Sequence, residues 1–309
     1  MQAGIHVSRF TWPDAPASIG PTLARIARDA EDAGVVELSV MDHFFQIPIF
    51  AETDTPEREP MLESGTALAW IAAQTNRMRL GALVTGVVYR HPGALIKAVT
   101  TLDVLSGGRA FLGIGAAWND REARGLGLPF PPMRERFERL EEVLQIAHHM
   151  WSGNTEPYIG KHYRLEEPIN EPGPISRPHP PIMIGGNGEQ KTLRMVAQYG
   201  DACNLLTTDL DTLKHKLDVL RRHCDELGRP YEEITRTLTT SLHLGDGTNG
   251  TETPDQALAR LQAYADLGID LVWFDLPNIH DPETIERFGR EIVSSMSEMT
   301  PVPREESAA

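Results

Sequence analysis

Leu102-Asp-Val-Leu-Ser-Gly-Gly-Arg-Ala-Phe-Leu-Gly-Ile-Gly115 carries the chain from one period into another. Its first residues close a stretch of helical spacing that opens at Pro92, and after Gly107-Gly108 a short apolar run of strand length begins at Ala110. The same switch recurs from end to end. Strands are predicted at Ala3–Ser8, Glu37–Met41, Met78–Val84, Ala110–Gly113, Pro181–Gly185, Ala202–Leu206, Thr235–His243 and Asp270–Asp275. Helices are predicted at Pro21–Ala33, Met61–Gln74, Pro92–Leu105, Met133–Trp151, Glu189–Tyr199, Leu210–Leu227, Pro254–Leu267 and Pro282–Met299. Eight strands, each followed by a helix and with no shift of composition between them, predict an α/β chain folded as one (β/α)8 TIM barrel over residues 1–299.

Two connections are too long for simple turns: Phe44–Pro60 after the second strand and Ser152–Pro180 before the fifth. Loops of that length usually serve as lids or binding elements. In the second, Tyr158-Ile-Gly-Lys-His-Tyr-Arg-Leu165 predicts a small hairpin about Gly160-Lys161. The tail from Thr300, with its two prolines and Arg-Glu-Glu-Ser-Ala-Ala end, is expected to be disordered.

The 309 residues carry 29 Lys+Arg against 44 Asp+Glu, a formal net charge of −15. That balance argues against a nucleic-acid or anionic-membrane surface, both of which need clustered cations. With only Cys203 and Cys224, neither a disulfide framework nor a cysteine zinc site is indicated, and a reducing compartment fits. The start has no basic segment followed by an apolar run, and no stretch of about 18 apolar residues occurs, so a cytoplasmic location is expected.

In a (β/α)8 barrel the chemistry sits where strands end. The second exit reads Asp42-His43-Phe44-Phe45, the fourth Gly115-Ala116-Ala117-Trp118-Asn119 and the fifth Gly185-Gly186-Asn187-Gly188-Glu189-Gln190. An imidazole at such an exit serves as acid, base or cofactor contact, or merely caps the strand; His43 is the outstanding candidate. Asp42 should point to the other side and anchor loop amides. The Gly185–Gly188 run, read as leading directly into a helix, suits a phosphate, although a tight turn needing positive φ reads the same way. Lys191 and Arg194 would add positive charge there, or form a solvated face. Phe44, Phe45, Ile47, Ile49 and Phe50 make an apolar wall that reads as satellite core or as a lid, and Trp12 shares the ambiguity.

Other chemistries lack their usual motifs. Gly113-Ile-Gly115-Ala-Ala-Trp118 has Trp where a dinucleotide fingerprint needs its third glycine. His148 and His149 are adjacent on a helix and face different ways, and no His-Glu-x-x-His, Gly-x-Ser-x-Gly or Walker loop occurs, so no metal site is expected.

Taken in order, several stretches resemble the bacterial luciferase-like family and, within it, the coenzyme F420 (deazaflavin)-dependent oxidoreductases. They are Val40-Met-Asp-His-Phe-Phe-Gln-Ile47, Leu80-Gly-Ala-Leu-Val-Thr85, Tyr89-Arg-His-Pro92, Leu102 to Asn119, Arg134 to Glu142 and Ile182-Met-Ile-Gly-Gly-Asn-Gly188. The resemblance runs from about Gly4 to Met296. It implies the barrel fold and hydride transfer between F420 and a small alcohol, carbonyl compound or activated alkene. It also implies a homodimer, and it leaves two alternatives: an FMN-dependent monooxygenase using reduced flavin, and a non-catalytic binding protein. By resemblance His43 is catalytic. The implied cofactor set is Asp42, His43, Leu83, Val84, Thr85, Gly115, Ala116, Asn119, Gly185, Gly186, Asn187 and Gly188, with Leu83-Val84-Thr85 matching a bulge that commonly holds a cis non-proline peptide. The implied substrate pocket is Trp12, Phe44, Phe45 and Trp118. Sugar-phosphate dehydrogenases of the family carry a Glu in the strand-four exit, where this chain has Trp118, which argues against glucose 6-phosphate as substrate.

Overall fold

The computed structural model of the protein describes residues 1–301. In chain order the strands are β1 (Gln2–Val7), β2 (Glu37–Val40), β3 (Arg79–Ala82), β4 (Thr85–Gly86), β5 (Leu112–Gly115), β6 (Tyr158–Ile159), β7 (Arg164–Leu165), β8 (Ile182–Gly185), β9 (Ala202–Leu205), β10 (Thr235–Ser241) and β11 (Leu271–Asp275). The helices are α1 (Ile19–Asp32), α2 (Ser64–Ala72), α3 (Pro92–Ser106), α4 (Asp120–Gly125), α5 (Met133–Trp151), α6 (Thr192–Tyr199), α7 (Leu210–Leu227), α8 (Pro254–Asp266) and α9 (Pro282–Phe288). Strand and helix alternate as the hydrophobic periods predict, except that β3 runs into β4, α4 precedes α5, and the β6–β7 hairpin stands before β8. By contacts the chain divides into two interleaved compact units: Met1–Val7, Pro21–Leu38 and the chain from Gly185 on; and Ser8–Gly20 with Ser39–Ile184.

In the first unit β11 pairs in parallel with β1 on one side and β10 on the other, and β10 pairs with β9. Trp273 and Phe274 of β11 are fully buried, and Gly4 of β1 makes room for the Trp273 indole, which a Cβ there would meet at 2.7 Å. Helix ends follow local chemistry: Asp209 caps α7 through the Thr212 amide, Gly228 closes it in the left-handed conformation, and Thr253 with Gln256 forms a capping box on α8. The predicted final helix is interrupted: it is α-helical to Phe288 and again at Ser294–Met296. A π-turn over Gly289–Val293 lies between, with Gly289 set hard against Ala33.

In the second unit β5 pairs in parallel with β4 and β8, and Leu80 of β3 bridges Ala110. The predicted strand Met78–Val84 is two pieces, β3 and β4, with the cis Leu83–Val84 peptide between them. The hairpin predicted at Gly160-Lys161 is present as antiparallel β6–β7. It is strapped to α5 by Glu142, whose carboxylate accepts the amides of Lys161, His162 and Tyr163. The loop Phe44–Pro60 contains 3-10 turns at Pro48–Phe50 and Pro56–Arg58. The tail expected from Thr300 is described only to Pro301, and the rest lies outside the described residues.

The strands here approach so closely that side chains are excluded. A Cβ at Gly113 would stand 2.0 Å from the carbonyl oxygen of Ala82, a backbone atom that moves only if its strand moves. Gly113→Ala is therefore expected to lose about 1–3 kcal/mol of stability by overpacking, read from chemical denaturation midpoints. Gly20→Ala, in the first turn of α1 with nothing within 4 Å, is the control and should be neutral or stabilising.

Candidate functional site

The chain leaves β2 as Met41-Asp42-His43, and the two polar residues go to different partners. Asp42 is almost fully buried. Its carboxylate takes Arg90 in a fork, Nη1 to Oδ2 at 2.7 Å and Nη2 to Oδ1 at 2.9 Å. Ser64 Oγ at 2.6 Å and the Gly86 amide at 3.3 Å complete its shell. The anchoring role expected of Asp42 is thus its observed geometry, with both oxygens committed inside the protein rather than free for a cofactor. Arg90 also binds Glu63, which caps α2 through the amides of Gly65 and Thr66. Burial alone would raise the Glu63 carboxyl, but the Thr66 amide and Arg90 outweigh it and lower it to about 2.

His43 faces a residue that the motifs did not single out. Its Nδ1 lies 2.5 Å from Oε1 of Glu122, in α4, a helix absent from the sequence reading. The same oxygen accepts the Tyr89 hydroxyl at 2.6 Å, and Oε2 accepts the amides of Phe44 at 2.6 Å and Phe45 at 3.1 Å. Glu122 is completely buried. Burial pushes its carboxyl upward, yet the bonds from His43 and Tyr89 and the Phe45 amide outweigh it and hold it below the ordinary range. Burial, reinforced by the bond and charge of Glu122, pushes the Tyr89 phenol up, so it stays a neutral donor. Asn119-Asp120-Arg121-Glu122, an N-cap residue followed by acids, is the signal that could have found α4.

Around this centre the expected residues take varied places. Trp118 is 63% exposed and meets the His43 ring edge-on at 5.5 Å. Phe44 packs edge-on against Tyr89 at 5.2 Å, and Phe45 lies against Gly125. Trp12 is buried against Phe10, and its Nε1 has no partner among the described residues. Leu83 and Val84 are half-buried, and Thr85 is buried. The Gly115 carbonyl accepts the Val87 amide, and that of Ala116 accepts Arg136 Nε. The Asn119 side chain, expected beside the cofactor, instead caps α4 by accepting the Arg121 amide.

The glycine run after β8 belongs to the other compact unit. Gly186 has φ +129, the conformation that makes glycine necessary, and its amide donates to the Asn204 carbonyl. The Asn187 side chain pairs with both backbone groups of Leu206. Among the described residues the main-chain amides of Asn187 and Gly188 have no acceptor. Contrary to the expected direct entry into a helix at Glu189, α6 begins only at Thr192. Glu189 is drawn away by Lys216 and His215, its carbonyl accepts His223 Nε2, and the Leu193 amide closes the turn on the Gly188 carbonyl. Lys191 is exposed, while Arg194 is paired with Glu226 at 3.1 Å.

Residues 1–291 match the family described as luciferase-like monooxygenase. A protein named F420-dependent glucose-6-phosphate dehydrogenase from Kineococcus radiotolerans is 29% identical over 283 residues, 87% of this chain and 75% of the relative. The solved coenzyme F420-dependent tetrahydromethanopterin reductase of Methanopyrus kandleri superposes with a TM-score of 0.78 at 17% identity, covering 96% of this chain and 99% of that one. An F420-dependent secondary alcohol dehydrogenase in complex with an F420-acetone adduct gives 0.77 at 15% identity, covering 94% and 98%. The last two likenesses show the fold, a (β/α)8 barrel.

Proposed function

The chain belongs to the luciferase-like monooxygenase family, and on that premise we propose that it is an F420-dependent oxidoreductase. It transfers a hydride between the deazaflavin and a small organic substrate: an alcohol, a carbonyl compound or an activated alkene. The observation that carries the reading is His43 at the β2 exit, its Nδ1 side held by a buried carboxylate and its ring flanked by Trp118. The relative of 29% identity, named for its use of F420, supports the choice of cofactor.

The residues present fit such a group. Gly186, Asn187 and Gly188 offer a glycine-rich turn with two unspent amides, suited to a phosphate on a chain whose formal net charge is −15. Leu83, Val84, Thr85, Gly115 and Ala116 would lie along the ring, with Trp12, Phe44, Phe45 and Trp118 toward the substrate. When bound, the deazaflavin supplies hydride acceptance and donation at its carbon five. The protein orients the reactants, and His43 moves the proton that accompanies the hydride. A homodimer is proposed on the resemblance, and a cytoplasmic location on the two free, buried cysteines, which fit a reducing compartment.

Equilibrium titration of purified protein with F420 and with FMN tests the reading. Saturable F420 binding at micromolar concentration, with FMN much weaker, is expected. Micromolar FMN binding without F420 binding would overturn it in favour of a monooxygenase using reduced flavin, the family's description being that of a monooxygenase.

A further inference from the structure

The shell of Glu122 decides which nitrogen of His43 carries the proton. A carboxylate has two oxygens with roughly two acceptor positions each, and here all four are filled. Oε2 is held by two main-chain amides, groups that can only donate. Oε1 takes Tyr89, whose raised phenol keeps its proton, and then Nδ1 of His43. The carboxyl is held ionised, so the 2.5 Å contact needs a hydrogen on Nδ1.

We infer that Glu122 is the positioning residue that fixes His43 as its Nδ1–H tautomer, leaving the Nε2 lone pair for the substrate, with Tyr89 and the Phe44 and Phe45 amides holding Glu122 in place. Resting on the hydride-transfer reading, this assigns Nε2 the proton step. With the deazaflavin bound as hydride acceptor, Nε2 would take the hydroxyl proton of an alcohol as the carbon gives up its hydride, and the imidazolium would return that proton in the reverse direction. The alcohol would thus lose a hydride to the cofactor and a proton to His43. Glu122 is not itself the donor, because every position on it is occupied and it touches no solvent.

The same geometry makes Glu122→Gln a directed switch. The Phe44 and Phe45 amides require an oxygen opposite them, which turns the new NH2 toward Nδ1. Nδ1 must then accept, and the proton moves to Nε2. Replacing an orienting carboxylate by its amide can leave geometry intact and still disable a histidine by imposing the wrong tautomer.

The test is 15N NMR of the imidazole nitrogens in cofactor-free protein at alkaline pH, with the His43 signals assigned by their loss in His43→Asn. Wild type should show a protonated Nδ1 and a bare Nε2, Glu122→Gln the reverse. With F420, Glu122→Gln should lower kcat about 10²–10⁴-fold, as loss of the proton-transfer group does, at nearly unchanged KM and cofactor Kd. Tyr89→Phe should keep the wild-type tautomer. A protonated Nε2 in wild type overturns the inference whether or not Glu122→Gln folds, and so does an unchanged tautomer in a folded Glu122→Gln. Because the NMR needs no cofactor, a failure of F420 binding leaves this result standing and counts only against the hydride-transfer reading.

Discussion

His43→Ala should lower F420-dependent turnover by about 10²–10⁴-fold, the range a positioned proton-transfer group usually contributes. Cofactor affinity should stay within a few-fold, because the change leaves the turn proposed for the phosphate, Gly186–Gly188, untouched. The fold should also survive. Glu122 would keep three of its four donors, Tyr89 and the amides of Phe44 and Phe45, so the buried carboxylate is not orphaned. His43→Asn separates the two jobs of the imidazole: its amide can still donate to Glu122 but cannot move a proton. Both variants should lose turnover alike, and the Asn variant should melt closer to wild type. Steady-state kinetics beside thermal melts read both. Turnover within threefold of wild type in either variant would remove His43 from the chemistry.

Much of this was legible because it is local. His43 follows a strand whose period is plain, and the Gly185–Gly188 run needs no partner to be noticed. Both tight helices between Met133 and Trp151 and between Leu210 and Leu227 match their predicted bounds residue for residue, since caps and apolar stripes are encoded within each helix. What failed to show depends on distant residues. Glu122 meets His43 across 79 positions of chain, and nothing in Asp120–Gly125 announces that its glutamate turns inward while the neighbouring charges stay out. The late start of α6 likewise goes with distant partners: Glu189, expected to open it, is bound by residues 26 to 34 positions further on. The resemblance sets Asn119 beside the cofactor, while its own chemistry as an N-cap residue accounts for the bond it makes.

Arg90→Met should be the most destabilising single change at the site, by about 3–5 kcal/mol, the usual cost of breaking a buried ion pair by removing one partner. The Asp42 side chain is 2% exposed, and without the guanidinium fork its charge would rest on one hydroxyl and one amide. Asp42 links the β2 exit to Ser64 of α2 and Gly86 of β4, so the loss should also loosen the backbone that carries His43, and turnover should fall with stability. The effect has a sign in pH. Glu63 ionises near 2 in the folded protein against an ordinary 4.5, so its contribution is fully present above 4.5 and is lost as pH falls toward 2. Arg90 is one cause of that depression, and in Arg90→Met the contribution shrinks. Acidification from about pH 5 toward 2 should therefore cost wild type more than the variant, and the gap between them should narrow. Urea denaturation of both proteins at pH 7 and across the acid range measures it. A gap that is absent at neutral pH, or that widens in acid, would show that the Asp42–Arg90–Glu63 cluster does not hold this exit together.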